Sequence, residues 1–348
     1  MIFLLFCTTY CFLLYFRIVN LLYKMIYEKE AQDIVNQRID SYNYNLNPKG
    51  LYEPIRYILS MGGKRMRSVF TLLGCNLFDD DVSPAIDTAV GVEIFHNFTL
   101  LHDDIMDKAP MRRGMPTVHQ KWNDNTAILS GDAMQIEAYR WMTKTPLHCL
   151  KPVLDLFSQT ALQVCEGQQY DMDFESRSDV SLQEYINMIR LKTAVLMACS
   201  LQIGGWIGGA GDKDAHVLYD CGINLGLAFQ LQDDLLDVYG SADLFGKKIG
   251  GDILCNKKTF LLILAFDKAQ GETLRQLKFC TTTDTYGEQE KITIVRNIYN
   301  ELNIRELCQI EIMRYYQDAL QLIGELSCSQ ERTKPLRCFV ETLMMREA

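Results

Sequence analysis

An all-α fold is what this sequence predicts, on three observations. Glycine and proline are sparse, 22 and 8 among 348 residues. Long stretches place apolar residues at three- and four-residue spacing, the repeat of a helix with one buried face. Alternating apolar and polar runs bounded by turn residues, the mark of strands, are essentially missing. With 48% hydrophobic residues the chain has ample material for a sizeable core.

Taken in order, the chain begins with a segment that stands apart. Ile2 to Phe16 is almost wholly apolar or aromatic, Arg17 interrupts it, and Ile18 to Tyr23 continues. A membrane span needs about 20 apolar residues. A signal peptide needs a basic start and a small-residue cleavage site, and this stretch has neither. Met25 then opens an amphipathic segment. Residues 1–24 are therefore expected to be a leader preceding the true start at Met25, with a membrane-anchoring helix as the alternative. Membrane contact is expected only if that leader is real, and one domain is expected over residues 25–348.

Next, Ser60-Met-Gly-Gly-Lys-Arg-Met-Arg67 puts Lys64, Arg65 and Arg67 just after a flexible glycine pair, opening a helix. Basic side chains at a helix N-terminus make a ready anion site. Helices of several turns are expected over Ala85–Lys108, Ala127–Met142, Val153–Gln169, Leu182–Ile203, Ala215–Tyr239, Lys258–Ala269, Glu288–Tyr299 and Ile304–Leu326. Several are apolar nearly all round, which places them centrally.

The chemistry-bearing stretch is Leu100-Leu-His-Asp-Asp-Ile-Met-Asp107. Residues four apart on a helix are neighbours, so Asp103 and Asp107 share a face. Two carboxylates a turn apart repel unless a cation sits between them. Mg²⁺ suits the place, because it accepts one or two carboxylates and fills its octahedron with water and phosphate oxygens. One acidic cluster on a helix is ordinarily a solvated face. Here the pattern recurs as Asp233-Asp-Leu-Leu-Asp237, again inside an apolar run where unpartnered carboxylates are expensive. The two stretches read as facing halves of one metal site.

Five residues after Asp107 come Arg112 and Arg113, whose guanidinium forks suit diphosphate oxygens. Arg190-Leu-Lys-Thr193 sits within an apolar helix; Lys247, Lys248, Lys257 and Lys258 follow the second acidic motif. A net charge of −9 and a sequence pI near 5.2 argue against a nucleic-acid partner. Twelve scattered cysteines, including Cys75, Cys165, Cys199 and Cys221 in apolar helical runs, read as buried reduced thiols and imply a reducing, cytoplasmic setting.

With both Asp-Asp-x-x-Asp motifs, the Gly-Gly-Lys-x-x-Arg opening and the Arg-Arg pair in this order, roughly Gly62 to Thr259 resembles the trans-isoprenyl diphosphate synthases. These make farnesyl, geranylgeranyl and longer prenyl diphosphates. The resemblance implies the isoprenoid synthase fold, helices ringed around a deep central cavity, in a homodimer. It implies a transferase that condenses isopentenyl diphosphate head-to-tail with an allylic diphosphate. Matched residue by residue, Asp103 and Asp107 would ligate two Mg²⁺ ions and Asp233 a third, about three per active site. Lys64, Arg67, His96 and Arg113 would hold isopentenyl diphosphate. Arg112, Lys192, Thr193, Gln230, Lys247 and Lys257 would grip the allylic diphosphate; Lys248 and Lys258 adjoin the last two, and both registers stay open. The carbonyl of Gln230 or the hydroxyl of Thr193 would stabilise the allylic cation. Independently, His96 lies seven residues before Asp103, and Gln230 seven before Asp237, each on its motif's stripe.

Chain length is expected to follow Phe95, Phe98 and Thr99, below the first motif. In the family a bulky residue five before the first aspartate, here Phe98, forms a floor. A wheel places Thr99 about 40° and Phe95 about 80° from the Asp103 direction and favours Phe98 less. A short product, C15 or C20, is expected, with C20 favoured because the first motif lacks the two-residue insertion of bacterial farnesyl synthases. Two other readings compete. A class I terpene cyclase would carry a second motif of Asn or Asp, Ser or Thr, and Glu, at wider spacing than Asp233 to Asp237. A silent subunit of a heteromeric synthase would have lost acids from one motif.

Overall fold

The computed structural model describes residues 24–240, 249–283 and 285–345. They are helical apart from loops and one antiparallel hairpin, Met111–Arg112 with Met115–Pro116. Of the leader only Lys24 is described; residues 1–23 lie outside the described residues. The chain divides into two compact units: Met1–Asp155 with Ser200–Leu218 and Ile323–Phe339, and Leu156–Cys199 with Tyr219–Leu322 and Val340–Ala348.

In the first unit the helix expected from Ala85 runs Ser83–Met106, with Pro84 in its first turn, where a missing N–H costs nothing. It packs along Asp124–Met142. At Gly131 a Cβ would lie 2.2 Å from His102 Nε2, so only glycine admits the contact. His102 in turn reaches the Ile128 carbonyl at 3.2 Å. Lys49–Ser60 and Met66–Asn76, unforeseen as full helices, are disguised in sequence. The first carries Pro54 inside it, and the second starts from Arg65 in a left-handed conformation, φ 51°.

In the second unit, Leu182–Ile189 begins with a capping box between Ser181 and Glu184. The expected helix continues, but Arg190–Ala194 forms a π turn before Val195–Ile207 resumes the α repeat, its residues from Ser200 onward belonging to the first unit. The apolar stretch of Leu182–Ile207 is 78% buried, as an all-round apolar helix should be. Glycines set the π turn against its neighbours. A Cβ on Gly167 would lie 2.3 Å from the Lys192 nitrogen, and one on Gly226 2.3 Å from the Ala194 Cα. Gly167→Ala is expected to force the two backbones apart, to lower stability by about 1–3 kcal/mol as overpacking does, and to weaken the site through Lys192. Urea unfolding midpoints and substrate KM would check both effects.

Gly271–Thr282 and Gln330–Met344 are helices the apolar spacing did not single out. Cys75, Cys149, Cys199, Cys221, Cys280 and Cys308 are buried thiols, and burial pushes Cys199 up to about 12. Cys165 departs from expectation: its face of Leu150–Ser176 is turned outward and the thiol is exposed.

Candidate active site

The first acidic motif and four basic positions assemble within the first unit. The two glycines before Lys64 adopt positive φ, 72° and 124°. They turn the chain so that Arg65 points inward, donating to the Leu59 carbonyl at 2.7 Å and pairing with the buried Glu93 at 3.0 Å. Ser68 and Asn97 complete the Glu93 carboxylate, each at 3.0 Å. Of the three bases opening this helix, then, Arg65 is a structural anchor, while Lys64 is exposed and Arg67 half-buried.

Arg67 donates to His96 Nε2 at 3.1 Å. A guanidinium cannot accept, so His96 holds its lone pair at Nε2 and its proton at Nδ1. Burial and the charges of Arg67, Arg113, Arg112 and Arg65 keep this imidazole well below its usual pKa, hence neutral near pH 7. Arg113 and Gly114 both take positive φ, 51° and 74°, as the two central residues of a tight hairpin turn must. That turn lays the Arg113 guanidinium over Gly63, where a Cβ would lie 2.7 Å from it, and lets it donate to the Gly62 carbonyl. Lys64, Arg67, His96 and Arg113 are thus grouped around one glycine turn.

The three acids of the first motif differ. Asp104 is buried, and both its oxygens accept from Arg112 Nε, at 2.9 and 2.8 Å. Burial raises its pKa, and Arg112 opposes the rise. Arg112 also reaches Asp103 at 3.7 Å. Asp103 is half-buried, and Asp107, at the C-cap of its helix, is exposed. Both lie nearer solvent than Asp104, which aims the arginine. Among the described residues, no three His, Cys, Asp or Glu side chains form a ready metal cage. The donor set still fits a hard ion such as Mg²⁺, which needs only one or two carboxylates when phosphates and water complete it.

The second unit brings Lys192, Thr193, Gln230, Lys257 and the second motif together. Thr193 donates to the Gln230 carbonyl oxygen at 3.0 Å, and the Gln230 amide donates to Asp234 at 3.1 Å. Buried Tyr185 also donates to Asp234. Burial and the Asp252 charge raise the Asp234 pKa. Asp237 serves the backbone instead. Its Oδ2 accepts from the Asp252 N–H at 3.0 Å and its carbonyl from the Gly250 N–H at 2.7 Å. It therefore starts the short helix Gly251–Leu254. Asp233 is half-buried, more open than Asp234 and Asp237.

Sequence reasoning missed Asp171. Its Oδ2 lies 2.7 Å from Lys192 Nζ and 3.7 Å from Lys257 Nζ, drawing two lysines distant in sequence to one carboxylate. Burial would raise its pKa, but Lys257 and Lys192 hold it below the usual range. Gln168-Gln-Tyr-Asp171 is a polar stretch in the sequence, but nothing local points to its partners. Lys247 and the alternative Lys248 lie outside the described residues. Lys258, the alternative to Lys257, turns instead to the Asn256 carbonyl at 3.3 Å. Phe95 and Phe98 are buried with ring centroids 5.5 Å apart, and Phe98 meets the His102 ring at 4.8 Å. Thr99 donates back to the His96 carbonyl at 2.8 Å.

Comparison with known proteins identifies the family. A family model described as polyprenyl synthetase matches residues 48–302. A geranylgeranyl diphosphate synthase of Methanosarcina mazei is 35% identical over 315 residues, 83% of this chain and 97% of that protein. A geranylfarnesyl diphosphate synthase of Natronomonas pharaonis is 37% identical over 257 residues, 69% of this chain and 75% of that protein. A crystal structure of a geranylgeranyl pyrophosphate synthase superposes with a TM-score of 0.88 at 44% identity, covering 93% of this chain and all of the other.

Proposed function

We propose, from the premise that this chain belongs to the polyprenyl synthetase family, that it joins isopentenyl diphosphate head-to-tail to an allylic diphosphate and releases a trans-prenyl diphosphate. The observation that carries this reading is the separate grouping of bases, Lys64, Arg67, His96 and Arg113 in one cluster and Lys192 with Lys257 in another. Two diphosphates need two such clusters.

Mg²⁺, three ions by family resemblance, would be held by Asp103, Asp107 and Asp233, and would neutralise the charge growing on the leaving diphosphate. In the second unit Lys192 and Lys257 would present fixed positive charge to a diphosphate, and in the first Arg112, aimed by Asp104, presents its charge beside Asp103. The allylic C–O bond breaks. The Thr193 hydroxyl and Gln230 carbonyl present oxygen dipoles to the cation. Lys64, Arg67 and Arg113 hold the second diphosphate, with neutral His96 free to donate through Nδ1. The isopentenyl double bond then attacks the cation, and the proton lost afterwards goes to the departing diphosphate. No side-chain nucleophile takes part.

A C20 product fits best. Phe98 is the floor residue, braced by Phe95, and the relatives named above make C20 and C25 chains by their names. Phe98→Ala is expected to lengthen the product by at least one C5 unit, read by chromatography of labelled product; an unchanged length would place the floor elsewhere. A homodimer fits the apolar stripe of Leu129 and Ile136, 60% and 64% exposed and two turns apart on Asp124–Met142. The reducing cytoplasm suits ten described cysteines that are all thiols. Incubating the protein alone with Mg²⁺, isopentenyl diphosphate and labelled allylic primers tests the reaction. Consumption of both with diphosphate release is expected; consumption of the allylic primer alone would favour a cyclase.

A further inference from the structure

The loop that carries Lys257 is held from behind by a buried lysine. Lys291, on Glu288–Glu301, is 7% exposed. Its ammonium donates to the Leu254 carbonyl at 3.2 Å and to Asn256 Oδ1 at 2.8 Å. A buried ammonium is costly unless its protons are taken up, so a lysine spent on two loop oxygens marks a conformation that must be held. The Leu254 carbonyl ends the short helix Gly251–Leu254, where no helical N–H is left to meet it. Asn256 stands at φ 53°, a left-handed turn that asparagine tolerates. The next residue is Lys257, whose N–H returns to the Asp252 carbonyl at 2.9 Å.

The loop therefore has two clamps. Asp237 holds its start through Gly250 and Asp252, and Lys291 holds its end. Between them the direction of Lys257 is set, with Nζ 3.7 Å from Asp171 and beside Lys192. We infer that Lys291 is a positioning residue for the allylic diphosphate, acting through the Leu254–Asn256 backbone to keep the Lys257 ammonium beside that of Lys192. It touches no substrate itself. The inference rests on the reading of Lys257 as a diphosphate-binding side chain.

Lys291→Met keeps the apolar volume and removes the donors. Steady-state kinetics of the full chain should show KM for the allylic diphosphate raised about tenfold, the scale of supporting-shell losses, with KM for isopentenyl diphosphate and the helical circular dichroism unchanged. Asn256→Gly keeps the positive φ, removes the acceptor and should give the same split; it carries the test should the methionine variant not fold. In a Lys257→Met background, adding Lys291→Met should change the allylic KM less than about twofold, because the two act in series. An unchanged allylic KM, a parallel rise in both KM values, or an undiminished penalty in the Lys257→Met background would overturn the inference. Wild-type protein that consumes neither diphosphate would instead remove the reading of Lys257 beneath it.

Discussion

Asp103→Ala should leave a folded protein whose turnover is lower by about a thousandfold. The figure follows from several kcal/mol of charge stabilisation supplied by a bound ion, at about 1.4 kcal/mol per factor of ten. Asp103 is half-buried at the end of the Ser83–Met106 helix, one residue before the buried Asp104. Removing it leaves the paired bonds between Asp104 and Arg112 intact, so the hairpin and the Gly62 turn keep their shape. Circular dichroism and the unfolding midpoint should match wild type while labelled-product formation collapses. The matching change at Asp104 should act differently. Asp104→Asn weakens the hold on Arg112, and its loss of activity should be accompanied by a lower midpoint. An active Asp103→Ala protein would remove the metal argument at the first motif.

The largest effect on stability is expected from Glu93→Ala, about 3–5 kcal/mol, because it strands the Arg65 charge in the core. Both side chains are almost wholly buried, 3% and 2% exposed. Ser68 and Asn97 would each lose one acceptor at the same time, keeping only the Ala89 and residue-93 carbonyls. Against a typical total of about 5–15 kcal/mol, that is roughly a fifth of the margin or more. The consequence reaches function, since Arg65 begins the helix that presents Arg67 and follows Lys64 directly. Glu93→Gln, which retains an acceptor but no charge, should fall between wild type and alanine in urea unfolding. By contrast, removing the exposed Lys29–Asp33 pair should leave the midpoint nearly unmoved.

Much of the site was legible because its residues declare themselves by type and order. Asp103, Asp107 and Asp233 stand out as carboxylates within apolar runs, and Gly62-Gly-Lys64 with Arg112-Arg113 as bases beside turn residues. What sequence could not give is which neighbour each group serves. Asp104 and Asp107 look alike in the motif, yet one is sunk against Arg112 and the other capped at the helix end. Asp237 repeats the spacing of Asp107 but starts the Gly251–Leu254 helix. Asp171 finds Lys192 and Lys257 only through tertiary packing. The fold class followed from periodicity alone. The π turn at Arg190–Ala194 did not, because no residue type marks a slipped turn and the helix resuming at Val195 is apolar nearly all round, so it shows no change of phase. Nor did the hairpin, whose strands of two residues are too short to alternate.

Crystals grown with Mn²⁺ in place of Mg²⁺ and a thio analogue of the allylic diphosphate that cannot ionise would test the central claim most directly, through the anomalous signal of the metal. Peaks are expected at Asp103 and Asp107 and at Asp233, with diphosphate density beside Lys192 and Lys257. Metal missing from either motif, or a diphosphate seated away from both, would contradict it.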